Sequence, residues 1–227
     1  MNFDHIFNWR LLTGSHEVPG PDGGTCINEA AIVAAGFEYK GVRSATDCPL
    51  CFSRPISAYA IALNDAMPDD LRQRLLTPFV TRLAGTADTP EIELRRAEFI
   101  LTGLVRDVVS IPLRGWKDDL AVQFGAVTTL EEAEQACNAL ARALDLDLAC
   151  ALDLDVARAR ALARILDVAL DVARARALDV ALEIFETAAR LLDGALRIGN
   201  QAEPLDYALV SCRMDAAKAH GMAGVEG

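Results

Sequence analysis

The longest stretch of the chain without glycine or proline runs from Ala126 to Asp193 and spans 68 residues. Glycine and proline are the residues that most often end a helix, so this run holds few local signals to interrupt one. It is also rich in alanine, leucine and arginine, which are among the best helix formers. Together with the capped segments that precede it, the run predicts an all-α fold with little or no sheet.

Both ends of the run carry patterns typical of helix termini. Thr128-Thr129 is followed by Glu131-Glu132, which offers a capping box in either of two registers. We therefore expect a helix to begin near Leu130. Helical structure is expected to end near Gly194 or Gly199, because glycine is the usual residue just beyond a helix.

A tetrapeptide, Leu-Asp-Val-Ala, recurs inside the run and begins at Leu154, Leu166, Leu170 and Leu178. A repeat of four exceeds the helical turn of about 3.6 residues, so the leucines drift around the helix and both faces are partly apolar. Such a helix needs neighbours on two sides. This favours two or three helices folded back on one another over a single rod of about 100 Å. Alternating leucine and aspartate at 144–148 and 152–156 is typical of strands. Because alanine and aspartate are depleted in strands, we nevertheless expect helix here.

The composition limits the partners that the chain is suited to. A formal net charge of −11 argues against a nucleic-acid-binding surface, because phosphate contacts need clustered lysine and arginine. No apolar run approaches the roughly 18 residues of a membrane-spanning helix, and Asp4 lies where a signal peptide would be basic. We therefore expect a cytoplasmic protein whose six cysteines are thiols or metal ligands rather than disulfides.

The predicted helices divide the chain into three segments. Residues 1–115 are expected to form a helical unit with a cysteine cluster, residues 116–200 a helical repeat, and residues 201–227 a C-terminal segment and tail. Residues 111–115 close the first unit, and residues 115–125 join it to the repeat. Four short helices are predicted in the first unit: Cys26 to Ala35 capped by Thr25, Ser57 to Ala66, Asp69 or Asp70 to Gly85 with a kink at Pro78, and Thr89-Pro90 to about Val109.

The cysteines of this unit have a spacing typical of zinc sites. Cys48 and Cys51 form a Cys-x-x-Cys in a loop, and Cys26 follows two glycines at a predicted helix start. Two thiols three residues apart bind one face of a tetrahedral ion, and a distant third thiol closes the site. His16, in the glycine-rich loop Gly14 to Gly24 that precedes Cys26, is the best fourth ligand. The sequence thus offers a candidate metal site, with zinc as the ion that this donor set favours: Cys26, Cys48, Cys51 and His16.

Two other interpretations of the cysteines remain open. A single Cys-x-x-Cys is a weak metal pattern, and free cysteines are often small buried apolar residues. Alternatively, Cys26 is a reactive thiol whose thiolate is favoured by the helix dipole, with His5 or His16 as its base. Asp47 and Glu29 are the other local candidates for a fourth metal ligand. The remaining cysteines are expected to lie outside any metal site: Cys137, Cys150 and Cys212.

Several charged residues have both a functional and a structural interpretation. Glu29 and Asp65 are a candidate carboxylate pair, although single acids on helices usually cap or face solvent. Arg54 and the pair Arg95-Arg96 are candidates for binding an anion, although ion pairing within a protein is the more frequent role. The sequence contains no phosphate-binding glycine loop, serine elbow or His-Glu-x-x-His motif.

Four short motifs carry a resemblance to a known family. They are Gly23-Gly-Thr-Cys-Ile-Asn-Glu-Ala30, Asp47-Cys-Pro-Leu-Cys-Phe-Ser-Arg-Pro55, Leu63-Asn-Asp65 and Leu83-Ala-Gly-Thr86. In these motifs the chain resembles a family of uncharacterised bacterial and phage proteins that pair a compact N-terminal motif region with an alanine-rich short-period repeat. The resemblance implies this architecture and marks five positions without implying a reaction: Cys26, Glu29, Asp47, Cys51 and Asp65.

The sequence favours a non-enzymatic helical binding or assembly protein, with a small structural metal site as one interpretation of its cysteines, because it lacks a matched acid and base set. The alternative is a thiol- or metal-dependent enzyme with its site around Cys26, Cys48 and Cys51. The expected partner is a second copy of the chain or another protein, and neither nucleic acid nor a membrane. The simplest assembly is a two-fold dimer, and the leucines expected to contribute to helix packing are Leu154, Leu162, Leu166, Leu170 and Leu178.

Overall fold

The computed structural model of the protein describes residues 10–16, 24–144, 169–171, 180–199 and 205–223. These residues form nine α-helices and no strand, and a single parallel bridge joins Leu11 to Thr25. The predicted all-α fold is thereby confirmed. The helices are α1 (Ile27–Ala34), α2 (Arg54–Ala66), α3 (Asp69–Leu76), α4 (Pro90–Gly103), α5 (Ser110–Leu113), α6 (Asp118–Gly125), α7 (Leu130–Leu144), α8 (Ala181–Leu196) and α9 (Tyr207–Ala223).

The N-cap of α1 is Cys26 and not the predicted Thr25. The Cys26 sulfur accepts a hydrogen bond from the Glu29 N–H at 3.4 Å, and the Cys26 N–H donates to the Glu29 carboxylate at 2.8 Å. These two bonds form a capping box. Thr25 is excluded from this role because its backbone N–H donates to the Arg10 carbonyl at 3.1 Å, within the bridge to Leu11.

Helix α2 begins at Arg54, three residues earlier than predicted. Ser53 is its N-cap, and the Ser53 hydroxyl accepts a hydrogen bond from the Ile56 N–H at 3.5 Å. Pro55 lies in the first turn, where the N–H that proline lacks would have no partner in the helix. The order Ser-Arg-Pro is therefore a helix start.

The third predicted helix is shorter than expected. Helix α3 ends at Leu76, and a 3₁₀ turn, Thr77–Phe79, follows it around Pro78. The predicted continuation to Gly85 is wrong, because proline removes a hydrogen bond from the helix interior and favours a stop here over a kink.

The fourth predicted helix is longer than expected. Thr89 caps α4, with Pro90 at its first position, as predicted. Beyond Gly103 the chain continues as a π-helix, Leu104–Val109, and then as α5. The predicted closing segment at 111–115 is therefore helical to Leu113.

The predicted join at 115–125 contains a helix, α6. Gly115 has a φ of 68°, and its N–H donates to the Asp118 carboxylate at 2.7 Å. Two acids, Asp118 and Asp119, lie in the first turn of α6, where the positive end of the helix dipole favours them. Phe124 is fully buried and holds α6 against the core.

The long run without glycine or proline is not a single helix. Helix α7 begins at Leu130 as predicted, and its capping box joins Thr129 to Glu132, with hydrogen bonds of 3.2 and 3.1 Å. Val180 has φ −118° and ψ 5°, which is not helical, and α8 begins immediately after it. The break at Val180 excludes one continuous rod to Asp193. The Leu-Asp alternation at 145–156 lies outside the described residues.

Residues from all three predicted segments share one hydrophobic core. Helix α8 packs against α2, α3 and α4, and the Tyr59 hydroxyl of α2 donates to the Ala188 carbonyl of α8 at 2.9 Å. Helix α9 packs against α1, and its Arg213 donates to the Ala34 carbonyl at 2.7 Å. Leu170, from the tetrapeptide repeat, is buried in this core, as we expected of a packing leucine. No helix within the described ranges has the length and apolar character needed to cross a membrane.

Candidate functional site

The carboxylate of Glu29 is fully buried and is the centre of a polar network beside the N-terminus of α1. One carboxylate oxygen accepts hydrogen bonds from the backbone N–H groups of His16 and Val42, both at 2.9 Å. The other accepts from the Cys26 N–H at 2.8 Å and lies 3.1 Å from Nδ1 of His16. Glu29 therefore joins three stretches of chain: the loop at 10–16, the start of α1 and the loop that follows it.

The Leu63-Asn-Asp65 motif fastens the same loop from the end of α2. The fully buried Asn64 accepts a hydrogen bond from the Ile27 N–H at 3.2 Å and donates to the Leu12 carbonyl at 2.7 Å. Asp65 accepts one from the Gly14 N–H at 2.8 Å. Glu29 and Asp65 hold different residues of one loop through its backbone, so their observed role is structural.

His16 and Glu29 form a dyad of the kind that orients a catalytic base. The Glu29 carboxylate holds the imidazole through Nδ1, and 22% of the His16 side chain is exposed. The Tyr39 hydroxyl donates to the His16 carbonyl at 2.8 Å. A nucleophilic site also needs a hydroxyl or thiol bonded to the base, and within the described ranges no hydroxyl or thiol is bonded to this imidazole.

The Cys26 thiol is a helix cap in an apolar setting, with 2% of the residue exposed. Burial, and then the neighbouring Glu29 carboxylate, raise the pKa of this thiol far above its ordinary value. Both effects disfavour the thiolate, which is the form that attacks an electrophile or binds a metal. They outweigh the helix dipole, on which the reactive-thiol interpretation depends.

The four predicted metal ligands do not meet at one point. Cys26 and His16 both contact Glu29, whereas Cys48 and Cys51 lie in the loop before α2. Burial raises the pKa of the Cys48 thiol to about 11, although the nearby Arg54 acts in the opposite direction. The part of the chain that the structure describes contains no group of three or more His, Cys, Asp or Glu side chains that could hold a metal ion. The geometry thus gives no support to a zinc site.

Alkylation by iodoacetamide under native conditions is expected to modify Cys212 before Cys26 and Cys48. Cys212 is exposed, whereas Cys26 and Cys48 are buried thiols with raised pKa values. We expect Cys26 and Cys48 to react only after unfolding, which peptide mass spectrometry over a time course measures. In the Cys212→Ser control the early modified peptide should disappear. Alkylation of Cys26 as fast as Cys212 in the folded protein would restore the reactive-thiol interpretation.

A second buried network joins the Asp47–Pro55 and Leu83–Thr86 motifs to α4. The Ser53 N–H donates to the Thr86 hydroxyl at 3.0 Å, and the Ser53 hydroxyl donates to Glu93 at 2.5 Å. The fully buried Arg96 donates to Glu93 and to the Ile198 carbonyl, each at 2.9 Å, and also to the Thr86 carbonyl. The guanidinium is engaged inside the protein, which is the structural interpretation of this residue.

Two of the other predicted positions, Arg54 and Asp47, are also engaged in local structure. Arg54 donates to the backbone carbonyls of Ala45 and Cys48 and so holds the loop before α2. Asp47 accepts hydrogen bonds from the N–H groups of Arg43 and Ser44, at 3.0 and 2.9 Å. Arg95 is exposed on α4.

Three residues of these networks have no distinctive sequence pattern: Asn64, Thr86 and Glu93. Asn64 and Thr86 fall within the motifs, but neither has a side chain with distinctive chemistry. Glu93 lies four residues after Thr89, and this spacing is too common on helices to single it out. A buried role for each depends on contacts with residues distant in sequence.

Comparison of the chain with models of protein families, with curated proteins and with solved structures gave no match.

Proposed function

We propose that the protein is a non-enzymatic helical binding or assembly protein, in which the described helices form a base that presents the tetrapeptide repeat. The observation that carries this proposal concerns the two helices that flank the repeat. Helix α7 packs against α4 and α6, and α8 packs against α2, α3 and α4. The two helices on either side of the repeat are thus both held on α4, which gives the repeat a common support.

The chemistry of the motif region supports a role without catalysis. Glu29 and Asp65 are bonded to backbone N–H groups, Arg96 is bonded to carbonyls and carboxylates, and the Cys26 thiol is buried. These are interactions that hold loops and helix ends in place. The proposed partner is a protein, most simply a second copy of the chain, and the net charge of −11 disfavours nucleic acid.

Light scattering coupled to size-exclusion chromatography tests the assembly. We expect a two-fold dimer at micromolar concentration. Substitution of two repeat leucines, Leu154→Asp and Leu162→Asp together, should give a monomer that retains the helices of the base. Leu170 is unsuitable for this test, because it is buried in the core and its replacement would destabilise the chain itself.

The matched control is Leu50→Asp. Leu50 is 87% exposed in the loop between Cys48 and Cys51, so this variant introduces an aspartate, with half the added charge of the double variant, without removing a packed side chain. It should keep the dimer mass. A wild-type chain that stays monomeric over the whole concentration range, with full helicity by circular dichroism, would contradict self-assembly.

A further inference from the structure

A cleft of about 490 Å³ lies between the π-helix and α8, away from both buried networks. Three arginines line it, and they come from three different parts of the chain: Arg106 from the π-helix, Arg114 from the end of α5, and Arg190 from α8. The cleft also contains two carboxylates, Asp107 and Glu183. The formal charges of the side chains in its wall therefore sum to +1, whereas the net charge of the whole chain is −11.

The carboxylates fix two of the three guanidinium groups in place. Nε and Nη2 of Arg106 donate to the two oxygens of Asp107, at 2.8 and 2.7 Å, and Arg114 donates to Glu183 at 2.9 Å. A guanidinium has five N–H donors, so the fork of Arg106 retains donor capacity beyond its ion pair. Positioned guanidinium groups lose less freedom when they bind an anion than mobile ones do.

Arg190, unlike Arg106 and Arg114, forms no ion pair with a carboxylate of the cleft wall. It donates to the Thr187 hydroxyl at 2.7 Å, and within the described residues no ion pair joins it to an acid. Arg190 is exposed, so its remaining N–H groups are accessible from the cleft. The cleft thus combines one arginine that has no carboxylate partner in the wall with two arginines that are held in position by carboxylates. This arrangement suits an anion with several oxygens.

The backbone at this position is itself unusual. The wall that carries Arg106 and Asp107 is a six-residue π-helix, Leu104–Val109. π-helical segments are rare and occur frequently at functional sites. Ser110, immediately after this segment, and Thr187 of α8 also line the cleft.

We propose that this cleft is a binding site for a phosphate group, bound by Arg190 together with the guanidinium groups of Arg106 and Arg114, with Ser110 and Thr187 beside them. The tetrahedral oxygens of phosphate match guanidinium forks that approach from several directions. A volume of about 490 Å³ also leaves room for a small organic body attached to the phosphate. The site is independent of the proposed assembly through the repeat.

Inorganic phosphate is the probe for the test, titrated into the ¹⁵N-labelled full chain at constant ionic strength with chloride as the competing anion. We expect saturable shifts of the backbone amides of Arg106, Ser110, Thr187 and Arg190. In Arg190→Gln the dissociation constant should rise about tenfold, because a hydrogen bond to a charged group is lost. A second titration with ribose 5-phosphate, and with ribose alone, separates binding of free phosphate from binding of a phosphate monoester.

The matched control is Arg197→Gln. Arg197 lies just beyond α8, is exposed, and is bonded to Asp193 outside the cleft, so its replacement should leave phosphate binding unchanged. Shifts that do not saturate, shifts confined to other parts of the surface, or equal dissociation constants for the wild type and Arg190→Gln would each overturn the proposal. A retained amide spectrum in Arg190→Gln establishes that lost binding is not lost folding.

Discussion

Replacement of Glu29 by alanine should lower the free energy of unfolding by about 4 kcal/mol. The change leaves three backbone N–H groups without their acceptor: those of Cys26 and Val42, which are buried, and that of His16, which is partly buried. Each buried donor that loses its partner costs about 1–3 kcal/mol. Because the three donors belong to different stretches of chain, their loss should also loosen the contact between the loop at 10–16 and α1.

Glu29→Gln separates the effect of losing the carboxylate acceptor from the effect of losing side-chain volume. Glutamine keeps the size of the side chain and one acceptor oxygen, but its NH₂ group faces donors that the carboxylate had satisfied. We therefore expect about half the loss, roughly 2 kcal/mol. Urea unfolding followed by circular dichroism gives these values, and hydrogen exchange should show reduced protection at the His16 and Val42 amides.

Glu38→Ala is the matched control for both variants. Glu38 is exposed in the loop after α1, and its removal should change stability by no more than about 0.5 kcal/mol. A Glu29→Ala protein as stable as Glu38→Ala, with unchanged exchange at His16, would show that the network does not hold the loop.

Helix starts that depend on local chemistry were predictable from the sequence. Thr89 followed by Pro90, and Thr129 followed by Glu132, are complete within four residues, and both helices begin where these patterns place them. The start of α2 was predicted too late, although Ser53 and Pro55 form a pattern of the same kind.

Features that depend on tertiary contacts were not predictable. Thr25 and Cys26 are adjacent and are both short polar or weakly polar residues. The choice between them as the cap of α1 is made by the bridge between Leu11 and Thr25, whose partner is 14 residues away. The π-helix that continues α4 likewise has no local pattern, because valine, leucine and arginine are equally compatible with an ordinary α-helix.

The candidate site was identified in part. The sequence predicts Cys26, Glu29, Asp65 and His16 as candidate site residues. In the structure, the loop at 10–16, which contains His16, contacts both Glu29 and Asp65. Of the three interpretations of the cysteines, the structure favours small buried residues for Cys26 and Cys48, and burial, together with the Glu29 carboxylate, raises the pKa of the Cys26 thiol. The arginine-lined cleft combines residues 106–114 with residues 183–191, and no spacing in the sequence connects them.

Replacement of Arg96 by methionine should lower the free energy of unfolding by about 4 kcal/mol, because it leaves buried acceptors without their charged partner. Methionine fills much of the space that the arginine stem occupies. Glu93, with 20% of its side chain exposed, loses its ion pair, and the carbonyls of Thr86 and Ile198 lose a donor. In a chain of this length the midpoint of thermal unfolding should fall by about 10 °C, which differential scanning calorimetry measures.

Two further variants identify the cause of this loss. Arg96→Lys keeps the charge but not the planar fork, so it should recover only part of the stability. Arg95→Met changes the neighbouring, exposed arginine and should shift stability by no more than about 0.5 kcal/mol.

A double-mutant cycle with Glu93→Gln tests whether the uncompensated carboxylate is the source of the cost. If it is, Arg96→Met with Glu93→Gln should be more stable than the sum of the single effects predicts, because the double variant removes both charges together. Ser53 retains an acceptor in either case, since glutamine preserves a side-chain oxygen. Strict additivity of the two substitutions would contradict an origin in the Glu93 carboxylate and would assign the loss to the carbonyls of Thr86 and Ile198 and to Asp88, whose carboxylate lies 3.9 Å from the guanidinium.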